Sequence, residues 1–204
     1  MDKTHKIRRV VLIVALLNLA YFFVEFGVAV GIGSVSLFAD SVDFLEDTAV
    51  NFLVFFAMTW TVTRRRRVGA FLSVVIMVPA IAALATAIYK MFNPSVPEPL
   101  TLTATAVGAL IVNVVCAALL SQLRHMGTSL TSAAWLAARN DVISNILIIG
   151  AGVASMFVPS AWFDILVGLL IAAINFTAAK EVWEQARLEP ESIEEALEAA
   201  EDDD

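Results

Sequence analysis

The chain has 204 residues, of which 59% are hydrophobic, and a formal net charge of −7. Soluble domains are only about 45–50% apolar, so this composition excludes a soluble globular protein and predicts one embedded in the lipid bilayer. Residues 189–204 hold nine acids and no base, so the negative charge belongs to a polar tail while the apolar body is slightly positive.

The amino terminus is basic, with Lys3, Lys6, Arg8 and Arg9 ahead of the first apolar stretch. That stretch is too long for the core of a cleavable signal and lacks a small-residue cleavage site. It is read as the first transmembrane helix. About 20 residues cross a 30 Å hydrocarbon layer, and six stretches reach that length, near 10–32, 35–61, 68–92, 100–123, 130–157 and 162–184. Between them lie GIGS, the basic run TRRRR, the proline-rich NPSVPEP, the polar SQLRHMGTS, and VPSA. The expected fold is all-α, a polytopic membrane protein built as a six-transmembrane-helix bundle.

Arg64, Arg65, Arg66 and Arg67 fall between helices two and three, and Arg124 with His125 between four and five. With six helices these basic segments and the amino terminus share one side, which the positive-inside rule assigns to the cytoplasm. The expected organisation is a cytoplasmic segment over 1–9, a transmembrane domain over 10–184, and an acidic cytoplasmic tail over 185–204, disordered by composition. The plasma (inner) membrane is the expected location. Cys116 is the single cysteine, which rules out an intrachain disulfide or a thiolate cluster.

Helix two is interrupted by Asp40, Asp43, Glu46 and Asp47, four acids within eight residues. Each charged residue at mid-bilayer costs about 2.5–3.5 kcal/mol on insertion scales. A bound cation, a proton or a water-filled cavity is the usual offset, so the cluster points to a cation path. At 100° per residue, Asp40, Asp43, Asp47 and Asn51 fall within roughly an 80° arc, with Glu46 beyond its margin. Asp43 and Asp47 are one turn apart and can reach a single ion. Asp40 lies nearer the outer surface, as an entrance residue or an interfacial one.

On helix five, Ala137, Asp141 and Asn145 share a face, with Asp141 near mid-membrane. Arg139 points nearly opposite Asp141, which leaves open a pairing with Glu46 or Glu25 or a path towards the cytoplasm. Helix one carries Asn18 and Glu25, helix four Asn113 and helix six Asn175. Interhelical hydrogen bonding accounts for the asparagines; Glu25 needs a partner or a proton. Small residues such as Gly150 and Gly152 permit close helix contact.

Together, ADSVDFLEDTAVN on helix two and RNDVISN on helix five, set in a six-helix frame, resemble the cation diffusion facilitator family of divalent metal exporters. The resemblance implies that Asp43 and Asp47 supply the metal pair of helix two. On helix five it implies Asp141 as the second ligand, with Ala137 where a histidine is usual. Asn145 or Asn140 is then the candidate amide ligand, with Asn51 in support. Asp40, Glu25, Asn18 and Asn113 are pathway or proton-coupling candidates. The family's cytoplasmic metal-binding domain has no counterpart in the roughly twenty residues that follow helix six, too few for a folded domain.

The resemblance further implies efflux by alternating access with proton antiport, a homodimer, and no enzymatic activity. The transported substrate is a divalent cation. Without histidine or cysteine ligands the site is harder than a typical zinc site, and Zn, Co and Mn all stay open. No organic cofactor and no nucleic-acid partner are expected. Two other readings compete: a non-transporting scaffold or regulator that keeps the fold, and a metal-dependent membrane enzyme. The spacing Asp40-x-x-Asp43-x-x-x-Asp47 is similar to that of membrane phosphatidyl-group transferases. Those carry glycine directly after the second aspartate, where this chain has Phe44.

Overall fold

The computed structural model describes residues 3–57, 62–122 and 129–174, the side chains of 129–139 and of most of 62–80 excepted. Five helices are α1 (Lys3–Ile32), α2 (Val35–Ala57), α3 (Val62–Phe92), α4 (Pro99–Ser121) and α5 (Ser129–Phe157). A sixth, α6, covers Ala161–Ile174. The described residues contain no strand. Ala137 and Arg139 (as side chains), Arg124, His125, Asn175 and the acidic tail lie outside the described residues.

The helix boundaries have local causes. Gly33, at φ +64°, ends α1 in a left-handed turn, and the Ser34 amide donates back to the Ala29 carbonyl at 3.0 Å, the Schellman closure. Pro94 and Pro97 keep the α3–α4 connection extended until Glu98 caps α4, accepting from the Leu100 and Thr101 amides. Pro159 follows the end of α5. Two expectations shift: the basic run expected between helices two and three belongs to α3, and α1 starts at Lys3 rather than near residue 10. Arginine and lysine are good helix formers, and neither segment contains proline or glycine to stop propagation.

Three segments, His5–Ile32, Pro99–Ser121 and Asn140–Phe157, are long and apolar enough to cross a membrane. Their outer faces carry exposed Leu16, Phe23, Val30, Leu100, Ile111 and Ile143, while Asn18, Glu25, Asn113 and Asn145 are buried. That distribution is inverted relative to a water-soluble bundle and suits a lipid surround. α1 packs chiefly on α2 and α4 chiefly on α5, with α2 also meeting α3 and α5.

Two apolar cores bracket the polar residues. Towards the basic end, Ile7, Val11 and Val14 of α1 pack with Val54 of α2 and with Cys116 and Leu120 of α4. Towards the end holding the α1–α2 turn, one cluster joins all six helices through Ala29, Leu37, Ala83, Leu102, Ile148 and Ile171. Along α1, α2 and α4, residues 18–25, 40–51 and 113 fall between these plugs. The polar layer therefore lies inside the bundle, closed by hydrocarbon on both sides.

Candidate cation site

α2 is deeply enclosed: every residue from Ser34 to Phe44 is buried, as are Asp47, Thr48, Ala49, Asn51 and Val54. Its length from Val35 to Ala57 contains neither glycine nor proline, so the acids stand at fixed positions on one rigid rod. Asp43 is 8% and Asp47 6% exposed. Glu46, beyond the stripe, is only partly buried, as its angular position predicts.

Asp47 is held from α1. Asn18 Nδ2 donates to Asp47 Oδ2 at 3.2 Å, and Asn18 Oδ1 accepts from the Cys116 thiol of α4 at 3.6 Å. Cys116 is thus a buried free thiol whose S–H meets the Asn18 amide oxygen. Asn51 and Asn145 each donate their amide N–H to the carbonyl one turn back, that of Asp47 and of Asp141, both at 2.8 Å. Their Oδ1 atoms are left without a donor.

Asp40 is fully buried, and so is Glu25 of α1. The two carboxyl groups are electrostatic neighbours across the α1–α2 contact, and none of their four oxygens has a hydrogen-bond partner among the described residues. Asp40 is thus the leading charged neighbour of Glu25 among the described residues; the Arg139 side chain, the other candidate partner, lies outside them. Between two carboxylates the missing positive charge or donor has to come from a proton, a water or a cation.

Asp141 is half-buried and within electrostatic range of Asp43, Asp47 and Asp40. Asn145 is fully buried on the same face, Asn113 of α4 is buried, and Asn140 is exposed. Among the described residues no three His, Cys, Asp or Glu side chains close to metal-ligating distance. The acids of α2 and α5 thus share one interior without forming a finished cage.

The donor set has one chemical character. Seven buried carboxyl or amide oxygens, on Glu25, Asp40, Asn51, Asn113 and Asn145, lack any hydrogen-bond donor. A buried acceptor without a donor is costly unless water, a proton or a cation meets it. Oxygen ligands of this kind suit hard or borderline divalent ions.

Asp164, Lys90, Ser34 and Ser36 were not among the sequence candidates, yet they form the densest polar contact among the described residues. Asp164 Oδ1 accepts from Ser34 Oγ at 2.6 Å, Ser36 Oγ at 2.6 Å and Ser36 N at 3.1 Å. Asp164 Oδ2 accepts from Val35 N at 2.8 Å and lies 3.9 Å from Lys90 Nζ. α2 opens on Ser-Val-Ser with no acid in its first turn, and the one acid of α6 supplies the acceptor for the Val35 and Ser36 amides.

Apolar outer faces around an enclosed layer of acids and amides define a helical membrane protein built to handle cations. The family model described as the cation efflux transmembrane domain matches residues 11–187. The chain belongs to the cation efflux family and is a membrane cation transporter. Among curated proteins none matches the chain.

Proposed function

We propose that the chain exports a divalent metal cation from the cytoplasm by alternating access, in exchange for protons. The ligands in this reading are Asp43 and Asp47 of α2 with Asp141 and Asn145 of α5. Asn51 and Asn113 line the approach, and Glu25 with Asp40 carries the exchanged proton. The termini face the cytoplasm of a plasma membrane, on the strength of the basic residues at that end.

The carrying observation is the row of buried acceptor oxygens without donors, enclosed between two apolar plugs. A divalent cation supplies positive charge to several oxygens at once, and protons supply it one oxygen at a time. Exchange of one for the other keeps the buried layer tolerable in both states. Oxygen-only ligation favours manganese, cobalt or zinc without a histidine to select zinc. A family relationship to cation efflux proteins supports the outward direction.

Flux into proteoliposomes tests this. With zinc, cobalt and manganese offered separately, wild-type protein moves at least one of them. Asp47→Ala and Asp141→Ala reduce that flux to the level of empty vesicles while still inserting as folded protein. Wild-type rates from either variant remove the site, and no flux of any ion from wild type favours the scaffold reading.

A further inference from the structure

Asp164 lies on α6, which contributes no other described polar side chain to the interior, and it touches none of the candidate ligands. We propose that Asp164 is a positioning residue for cation binding: it pins the first turn of α2 to α6 and so sets the height and rotation of the carboxylate stripe against α5. This rests on the site reading above, in which α2 and α5 must present their oxygens to one ion.

The pin is specific about geometry. It grips two backbone amides, those of Val35 and Ser36, and two hydroxyls, those of Ser34 and Ser36. Ser34 Oγ in turn accepts the Leu37 amide at 3.1 Å, so three of the amides that a helix leaves open at its start are answered. A slide of α2 along its axis by one residue, about 1.5 Å, breaks both backbone bonds. Because α2 has no glycine or proline between its first turn and Asp47, a displacement at Val35 is carried undiminished to Asp40, Asp43 and Asp47.

Two further contacts hold the same junction. Lys90 of α3 sits beside the Asp164 carboxylate and donates to the Ser95 carbonyl at 3.0 Å, joining the α3–α4 connection to the pin. Gly168, one turn after Asp164, runs against the α2 backbone: a Cβ there would stand 2.6 Å from Val35 Cγ1 and 2.8 Å from Ser36 N. α6 is thus seated on α2 with no room to turn. Within one transport cycle α2 and α6 move as a single body.

The test is steady-state flux in proteoliposomes, with zinc and manganese as probes and the amount of folded protein measured in parallel. Loss of folded protein lowers the maximal rate in proportion and leaves KM alone, whereas a misplaced stripe raises KM. Asp164→Ala is expected to raise KM about tenfold, a change worth about 1.4 kcal/mol of binding. Asp164→Asn keeps an oxygen for the two serines but sets an amide N–H against the Val35 amide and the Lys90 ammonium, so its KM falls between wild type and alanine. If Asp164→Ala does not fold, the pair Ser34→Ala/Ser36→Ala keeps both backbone bonds and is expected to raise KM about threefold. Wild-type KM in every folded variant overturns the pin, and so does a KM for asparagine equal to that of alanine. Asp47→Ala in the same assay separates the two readings: if it transports normally the site fails, and if it is dead while Asp164→Ala keeps a wild-type KM, only the pin fails.

Discussion

Asn18 and Asp47 meet across the α1–α2 contact, the amide N–H of one 3.2 Å from the carboxylate of the other, and the amide oxygen of Asn18 is itself engaged by Cys116. Three helices are therefore linked at the residue expected to bind the ion. Asn18 fixes one oxygen of Asp47 and leaves the second for a cation.

Asn18→Ala removes a hydrogen bond to a buried carboxylate, worth about 1.5–3 kcal/mol. The expected result is a lower Tm for the cation-free protein. A bound divalent ion then replaces the missing donor, so the rise in Tm on adding zinc or manganese exceeds the rise in wild type. Equal increments in the two proteins would mean that Asp47 does not meet the ion.

In the proposed exchange the Glu25–Asp40 pair needs a proton because two carboxylates have no donor between them. Asp40→Asn supplies an amide donor in the same shape and makes the proton unnecessary. Flux driven by a pH gradient is expected to fall to within about twofold of flux without a gradient, while cation-for-cation exchange persists. A retained gradient response would place the coupling proton elsewhere, with Asp43 and Asp141 the next groups to test.

Glu98 gives a pH dependence outside the membrane layer. Hydrogen bonds from the Thr101 side chain and from the Thr101 and Leu100 amides hold its carboxyl below the usual carboxylate range. A carboxyl lowered by folding stabilises the fold above its unfolded value, about 4.3, and that contribution fades as pH falls through the lower folded value. Glu98→Ala is expected to melt below wild type at neutral pH, with the two curves converging in acid below about pH 4. A gap that stays constant into acid would show that the cap works without its charge.

The stripe on α2 was legible from sequence because an apolar stretch seldom carries acids unless an ion or a proton meets them, and helical arithmetic set Glu46 apart from Asp43 and Asp47. The six helices followed from hydrophobic length. What escaped was the polar chemistry at helix ends. Lys90 and Asp164 sit within a few residues of a connection, where a charge ordinarily reaches water, and no periodicity tells a solvated terminal charge from one buried against a neighbouring helix. Glu25 and Asp40 were each visible as intramembrane acids, but that they face each other depends on how α1 turns against α2, a relation that only packing supplies. The start of α3 was misplaced for the opposite reason: arginines look like loop, yet favour helix.

Asn51 and Asn145 each spend one N–H on their own helix and keep a buried amide oxygen without a donor. The lining they form with the acids sorts solutes by the sign of their charge before it sorts them by radius. Chloride or phosphate arriving at these side chains would meet the repulsion of the buried acids, so leakage of the cation's own counter-anion is opposed by the carboxylates of α2.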